Sequence, residues 1–187
     1  MNRGYGGNQK TCYRLALAAG ADIVIMIHPD YLYTPQLIPA MASLVASGLY
    51  PCMLAPRILG NGAVRGGRPL WKYVANRFLT LFENLLLGAR LSEYHTGSRA
   101  FARTCSSVCL LREIPTTFFD NEVLAQVHWL GCAMGEITYP ARYMPEASSI
   151  NFRRSVRYSF GCIRTALEFR WAKTRGRGRL FPPTSSS

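Results

Sequence analysis

The chain has 187 residues, of which 49% are hydrophobic, and a formal net charge of +12. This length suits a single domain core, and a mean hydropathy of +0.03 argues against a protein with several membrane spans. The six cysteines stand in apolar or small-residue contexts without the paired spacing of a zinc motif. We therefore expect reduced, mostly buried thiols in a cytosolic protein.

Helical and strand patterns alternate along the chain, which predicts an α/β fold. Helices are predicted over residues 11–19, 35–47, 69–87 and 121–129, and strands over residues 23–27, 53–55 and 136–139. Gly20, Gly48 and Gly131 stand where three of these helices should end. The continuous apolar run at 23–27 is typical of a buried strand in a parallel sheet.

Two polar residues, His28 and Asp30, follow this first strand and would share a face of an extended chain. Open α/β sheets bind ligands just beyond the carboxyl ends of their strands. Asp30 offers a hard oxygen ligand to a divalent cation carrying phosphate oxygens, and His28 a borderline ligand or a hydrogen-bond donor. The alternative is an ordinary turn that contains Pro29.

Five motifs follow one another through most of the chain, between Asn2 and Tyr158. They are His28-Pro29-Asp30, Arg57 after a short strand, Glu93–Phe101, Phe119–Glu122 and Gly135–Pro140. In this order they resemble the family-2 glycosyltransferases with the GT-A fold. The polyprenyl-phosphate branch, which includes enzymes like dolichol-phosphate-mannose synthase, is the most similar. The resemblance implies a mostly parallel, Rossmann-like sheet with flanking helices.

The resemblance also implies a metal-assisted, inverting transfer from a nucleotide-diphosphate sugar to a lipid-phosphate acceptor. Asp30 matches the second carboxylate of the family's Asp-x-Asp motif, and His28 replaces the first. By this comparison Asp30 and His28 would hold Mg²⁺ or Mn²⁺. Ser98 is a second departure, because the family usually carries an aromatic residue there. Arg57 and Arg99 would contact the donor phosphates.

Three acidic residues match positions where the family carries carboxylates: Asp120, Glu122 and Glu93. Any of them could take the acceptor's proton, a step that an anionic phosphate acceptor would not need. The alternative for Asp120 is a helix N-cap. The alternative for Glu93 is a solvated acid on the surface.

The family's first unit has no counterpart before Asn2. That unit comprises a strand, a Pro-x-Tyr-Asn-Glu-like segment and an Asp-Gly-Ser segment, which together hold the nucleotide base. We therefore expect a fragment, a truncated reading frame or a remnant, with weak or no turnover by the isolated chain. An unpaired sheet edge would favour association into a homo-oligomer.

Two segments have patterns typical of a membrane surface. In the first, apolar residues recur at helical spacing: Trp71, Val74, Ala75, Phe78, Phe82, Leu85 and Leu86. This helix either packs on the core or lies in the lipid interface, and the resemblance favours the interface. In the second, from Asn151 onward, nine basic residues and one acid carry a net +8, with aromatic residues between them. This mixture suits an anionic membrane surface, with a solvated tail or nucleic acid as alternatives.

We accordingly divide the chain into an incomplete GT-A domain at 1–150, a basic amphipathic juxtamembrane segment at 151–173 and a disordered tail at 174–187. The favoured function is a glycosyltransferase, or a fragment of one, at the cytoplasmic membrane surface. A catalytically dead, membrane-associated remnant is the second alternative. A nucleic-acid-binding module is the third, and the order of the five motifs argues against it.

Overall fold

The computed structural model describes residues 4–28, 33–59, 70–109, 118–140 and 152–181. The helices are α1 (Gly4–Ala18), α2 (Ile38–Ala46, after a 3-10 turn at Pro35–Leu37), α3 (Leu70–Leu87), α4 (Arg103–Cys109), α5 (Phe119–Trp129) and α6 (Phe152–Arg175). The strands are β1 (Ile23–Ile27), β2 (Cys52–Leu54), β3 (Ser98–Ala102) and β4 (Met134–Glu136). The α/β class that we predicted is confirmed.

The four strands form one sheet in the order β1-β3-β2-β4. Strand β3 pairs antiparallel with both β1 and β2, whereas β2 and β4 pair in parallel. Three strands therefore run in the same direction, with β3 inserted between them in the opposite one. The expectation that β1 is a buried parallel strand is wrong, because it pairs antiparallel with β3, all five of its residues are half-buried, and it lies at an edge of the sheet that the described residues form.

The sheet separates two apolar clusters, because successive side chains of a strand point to opposite faces. On one face Met53 and Ala100 pack with Met41 and Val45 of α2. On the other face Cys52, Leu54 and Phe101 pack with residues of α1, α5 and α6. The fold is thus a sheet between one helix and a thicker helical layer.

Helix α1 begins at Gly4, earlier than the predicted start at residue 11. Gly6 and Gly7 lie inside it and are buried. Their poor helix propensity is outweighed by packing of this glycine-rich turn on the fold. The predicted helix ends are confirmed at Gly20 and Gly48, which adopt positive φ angles of 91° and 78°.

Helix α6 belongs to the core. It packs against α3 and α5, and Phe169 is buried on it. Beyond its end the chain folds back, so that Leu180 and Phe181 are buried as well. The Phe181 ring lies 5.2 Å from Phe169 and 5.3 Å from Trp129 between centroids. The disordered tail that we expected is therefore wrong for residues 174–181, because these apolar contacts hold the segment; residues 182–187 lie outside the described part.

Helix α3 turns much of its apolar side outward. Its exposed large apolar residues are Leu70, Trp71, Val74, Phe78, Leu81 and Leu85. Its buried positions include Asn76, Thr80 and Glu83. We considered the alternative that the apolar stripe packs on the core, and this is wrong for most residues of the stripe. Leu86 is an exception, because it packs against the core. Among the described residues, no helix combines the length and apolar character needed to cross a bilayer.

Candidate functional site

The candidate site lies where β1 ends and β3 begins. The antiparallel register pairs Ile27 with Ser98, so His28 is brought next to Gly97. A Cβ atom at Gly97 would collide with the rings of His28 and Tyr33, so this close approach requires glycine. The end of β1 is also the edge at which α/β sheets bind their ligands.

Helix α1 positions His28 from the other side. The Tyr5 hydroxyl and His28 Nε2 are 2.7 Å apart, and the two rings stack with centroids 5.3 Å apart. The pKa of Tyr5 is raised, first by partial burial and next by the negative charge of Asp120. Tyr5 thus contacts His28 and lies close enough to Asp120 for its charge to act on the phenol. Asp30, the second predicted metal ligand, lies outside the described residues.

A divalent cation is compatible with this edge. His28 supplies an imidazole at this edge, and Asp120 is a partly exposed carboxylate whose Oδ1 lies 3.2 Å from Arg99 Nη1. Imidazole nitrogen and carboxylate oxygen are both acceptable to Mn²⁺, whereas Mg²⁺ prefers oxygen. Of the two predicted metal ligands, His28 is the one whose position the structure describes.

Arg99 is a buried residue that holds the loop before β3 on helix α5. Its guanidinium donates to the carbonyl oxygens of Asp120, Thr96 and Tyr94 at 2.8, 3.0 and 3.0 Å. It also lies 3.2 Å from Asp120 Oδ1, and its side chain is 2% exposed. These contacts give Arg99 a structural role in place of the phosphate contact that we expected. They also fix the Asp120 carboxylate in one position.

Asp120 lies inside the first turn of α5, and Phe118 is the N-cap residue of this helix. The N-cap alternative for Asp120 is therefore wrong. Glu122 is two residues further along the same helix, and side chains two apart on a helix do not face each other. It is buried near Arg179, with 3.9 Å between Oε1 and Nη2, on a different side of α5 from the site. The structure thus separates two acids that the sequence places together.

Glu93 and Arg57 form a second carboxylate–arginine pair. Glu93 is fully buried, so the surface-acid alternative is wrong. Its Oε1 accepts from Arg57 Nη2 and from Asn76 Nδ2, both at 3.1 Å, and its Oε2 accepts from the Arg57 backbone amide at 2.9 Å. Arg57 is partly exposed, and its guanidinium lies 5.5 Å from the Tyr33 ring centroid. Of the two predicted phosphate contacts, Arg57 is the accessible one.

Tyr33 links this pair to the edge of the sheet. Its hydroxyl accepts a hydrogen bond from the Gly97 backbone amide and lies 3.5 Å from Thr96 Oγ1. Tyr5 and Tyr33 are the site residues that our sequence reasoning missed. Tyr5 stands between two glycines near the start of the chain, and such glycines are a sequence signal for close packing. Tyr33 had no sequence signal other than its position three residues after Asp30.

No protein-family model matches the sequence. Over 82 residues the chain is 32% identical to the low-salt glycan biosynthesis hexosyltransferase Agl6 of Haloferax volcanii. The matched segment is 44% of this chain and 20% of the relative, so the chain spans about a fifth of the length of that protein. The sequence therefore has a distant, partial similarity to a glycosyltransferase.

Proposed function

We propose that this chain is a glycosyltransferase, or part of one, that works with a nucleotide-diphosphate hexose at a membrane surface. The observation that carries the proposal is the 32% identity over 82 residues to a protein named as a hexosyltransferase. The site geometry supports it, because His28 lies at the edge of the sheet where α/β folds bind ligands, and because Asp120 and Arg57 are partly exposed charged residues held by Arg99 and Glu93. The acceptor that fits best is a lipid phosphate.

The proposed roles follow from exposure and charge. Arg57, which is partly exposed, would donate to the diphosphate of the donor. Asp120, oriented by Arg99, would accept a proton from a hydroxyl acceptor. Asp30 and His28 would hold Mn²⁺ or Mg²⁺, which when bound neutralises charge on the diphosphate leaving group. Glu93 and Glu122 are buried in other contacts and are not assigned to the reaction.

Donor binding tests this proposal. Calorimetric titration with UDP-hexose, GDP-hexose and the free hexose should show a binding signal for one nucleotide sugar, only when Mn²⁺ is present, and none for the free sugar. Arg57→Gln should weaken that binding, whereas the exposed Arg90→Gln should not. Absence of a signal from both nucleotide sugars would contradict the proposal.

The membrane part of the proposal rests on helix α3. Phe78 and Leu85 are each 69% exposed, whereas Glu83 of the same helix is fully buried. The usual arrangement, with apolar residues inside and charged residues outside, is reversed on this helix, so it presents an apolar strip to its surroundings. An exposed apolar patch of this kind marks an interaction site. Helix α6 adds exposed basic residues, namely Arg153, Arg157, Arg164 and Arg170, and exposed Phe160 and Trp171. Anionic lipid is the partner that suits both the charge and the rings.

Vesicle sedimentation separates the two contributions. Binding to anionic vesicles should fall partly in high salt, because exposed charges are screened within about 10 Å at 0.1 M ionic strength. Phe78→Asp and Leu85→Asp should remove the part that resists salt without unfolding the chain. Leu49→Asp is the matched control, because Leu49 is 70% exposed but lies outside α3. Unchanged salt-resistant binding by the α3 variants would contradict the membrane role.

A further inference from the structure

Three side chains that the proposed function does not use converge inside the helical layer. They are Glu83 from α3, His95 from the segment before β3, and Cys162 from α6. One potential ligand atom of each lies within 4.8 Å of the other two. Glu83 and Cys162 are fully buried, and the His95 side chain is 13% exposed. A carboxylate, an imidazole and a thiol thus meet away from solvent.

The internal contacts do not satisfy this cluster. Glu83 Oε1 accepts a hydrogen bond from Asn121 Nδ2. Among the described residues, Glu83 Oε2 and both His95 ring nitrogens are buried without a hydrogen bond of good geometry. His95 Nε2 nevertheless lies 3.3 Å from Glu83 Oε2. The His95 imidazole is the basic group that lies next to Glu83 Oε2 in this cluster, and a bound cation would compensate the buried carboxylate further.

The arrangement distinguishes a metal site from a catalytic triad. In a Cys-His-Glu triad the thiol and the carboxylate bind opposite nitrogens of the imidazole, so the ring lies between them. Here the thiol and the carboxylate are themselves within 4.8 Å of each other, and both lie close to the same histidine. Zinc bonds of about 2.0–2.3 Å place tetrahedral ligand atoms about 3.3–3.8 Å apart. The 3.3 Å between Nε2 and Oε2 falls in this range.

We propose that Glu83, His95 and Cys162 bind Zn²⁺. A sulfur, a nitrogen and an oxygen ligand together suit this borderline-soft ion better than Mg²⁺ or Ca²⁺. On binding, the Cys162 thiol loses its proton to solvent and coordinates as thiolate. The fourth position is left for water or for the hydroxyl of Tyr158, whose ring lies 5.5 Å from His95 between centroids.

The ion would join three elements that are far apart in sequence. It would fasten α6 to α3, and both helices to the segment that carries Glu93 and Arg99. This role is structural and does not depend on sugar transfer. It would also compensate the charge of the acid that α3 buries.

Zinc titration of the purified full chain tests the proposal. After removal of metals with a chelator, the Asp30→Asn chain, which lacks the other proposed metal carboxylate, should take up one Zn²⁺ in competition with a fluorescent zinc chelator. Cys162→Ser and His95→Gln should each weaken binding at least about tenfold. Cys12→Ser is the matched control, because Cys12 is exposed and distant from the cluster. It should bind as the parent does.

Cobalt gives a readout that does not depend on the folding of any variant. Co²⁺ added to the parent chain should produce a thiolate-to-cobalt charge-transfer band, and Asp30→Asn should keep it. Glu83→Gln, which preserves the side-chain shape, should weaken zinc binding if Cys162→Ser fails to fold. The absence of both stoichiometric zinc uptake and the cobalt band would overturn the proposal, as would equal zinc affinity in a folded Cys162→Ser chain.

Discussion

Glu122→Gln tests how the buried acid of α5 contributes to stability. Glu122 is 3% exposed, and within the described residues its Oε2 has no hydrogen-bond partner. Its pKa is raised from 4.5 to about 7, chiefly by burial, with Arg179 acting in the opposite direction. The ionised carboxylate is therefore poorly compensated in the folded chain. Glutamine has the same shape and carries no charge.

The sign of the effect follows from proton binding. The folded chain holds the Glu122 proton more tightly than the unfolded chain, so stability falls as pH rises from about 4.5 to about 7 and stays lower above that window. Each pKa unit corresponds to about 1.36 kcal/mol, so the cost above the window is about 3 kcal/mol. For a chain of this size that amounts to about 6–12 °C in Tm.

Thermal unfolding of parent and variant, followed by circular dichroism, checks this prediction. Glu122→Gln should raise Tm at about pH 8 and change it little at about pH 4.5, where the folded chain holds the proton and the unfolded chain is about half protonated, a difference of about 0.4 kcal/mol. Asp22→Asn is the control, since it removes a carboxylate that is 91% exposed and should leave Tm unchanged. A variant that is no more stable than the parent at the higher pH would refute the reasoning.

Two further predictions concern the site. Arg99→Lys should lower the free energy of unfolding by about 2–4 kcal/mol, because lysine cannot make the several hydrogen bonds that the guanidinium donates to Asp120 and to the loop carbonyls. An unchanged midpoint of urea unfolding would contradict this. Gly97→Ala should cost about 1–3 kcal/mol and shift the NMR signals of His28, because the added methyl meets the His28 and Tyr33 rings. Unshifted His28 signals would show that this close approach does not exist in solution.

The sequence predicted α1, α2, α3, α5, β1 and β2 near their observed positions because their signals are local, whereas β4 begins two residues before the strand predicted at 136–139. Apolar periodicity located α3, and glycines marked the ends of α1, α2 and α5. Strand β3 was missed, because Ser98–Ala102 has no apolar run and contains a buried arginine. Its position next to β1 depends on pairing between distant segments, and so does the edge position of β1.

The site could be predicted only in part for a similar reason. Motif order brought His28, Asp120 and Arg57 into consideration, but burial and partners decide their roles. Glu93 and Arg99 are polar residues that sequence patterns place on the surface or at a ligand, whereas the fold buries both. The cluster of Glu83, His95 and Cys162 gives no spacing signal, because its members come from three separate elements.

Binding of a nucleoside diphosphate in the presence of Mn²⁺ tests the central claim most directly. Calorimetric titration with UDP and GDP should show binding that needs Mn²⁺ and that weakens at least about tenfold in Asp30→Asn, whereas Asp22→Asn binds like the parent. His28→Asp should tighten Mn²⁺ binding, because it adds a hard oxygen ligand. Equal binding by Asp30→Asn and the parent, or no Mn²⁺-dependent binding of either nucleotide, would contradict the proposed glycosyltransferase site.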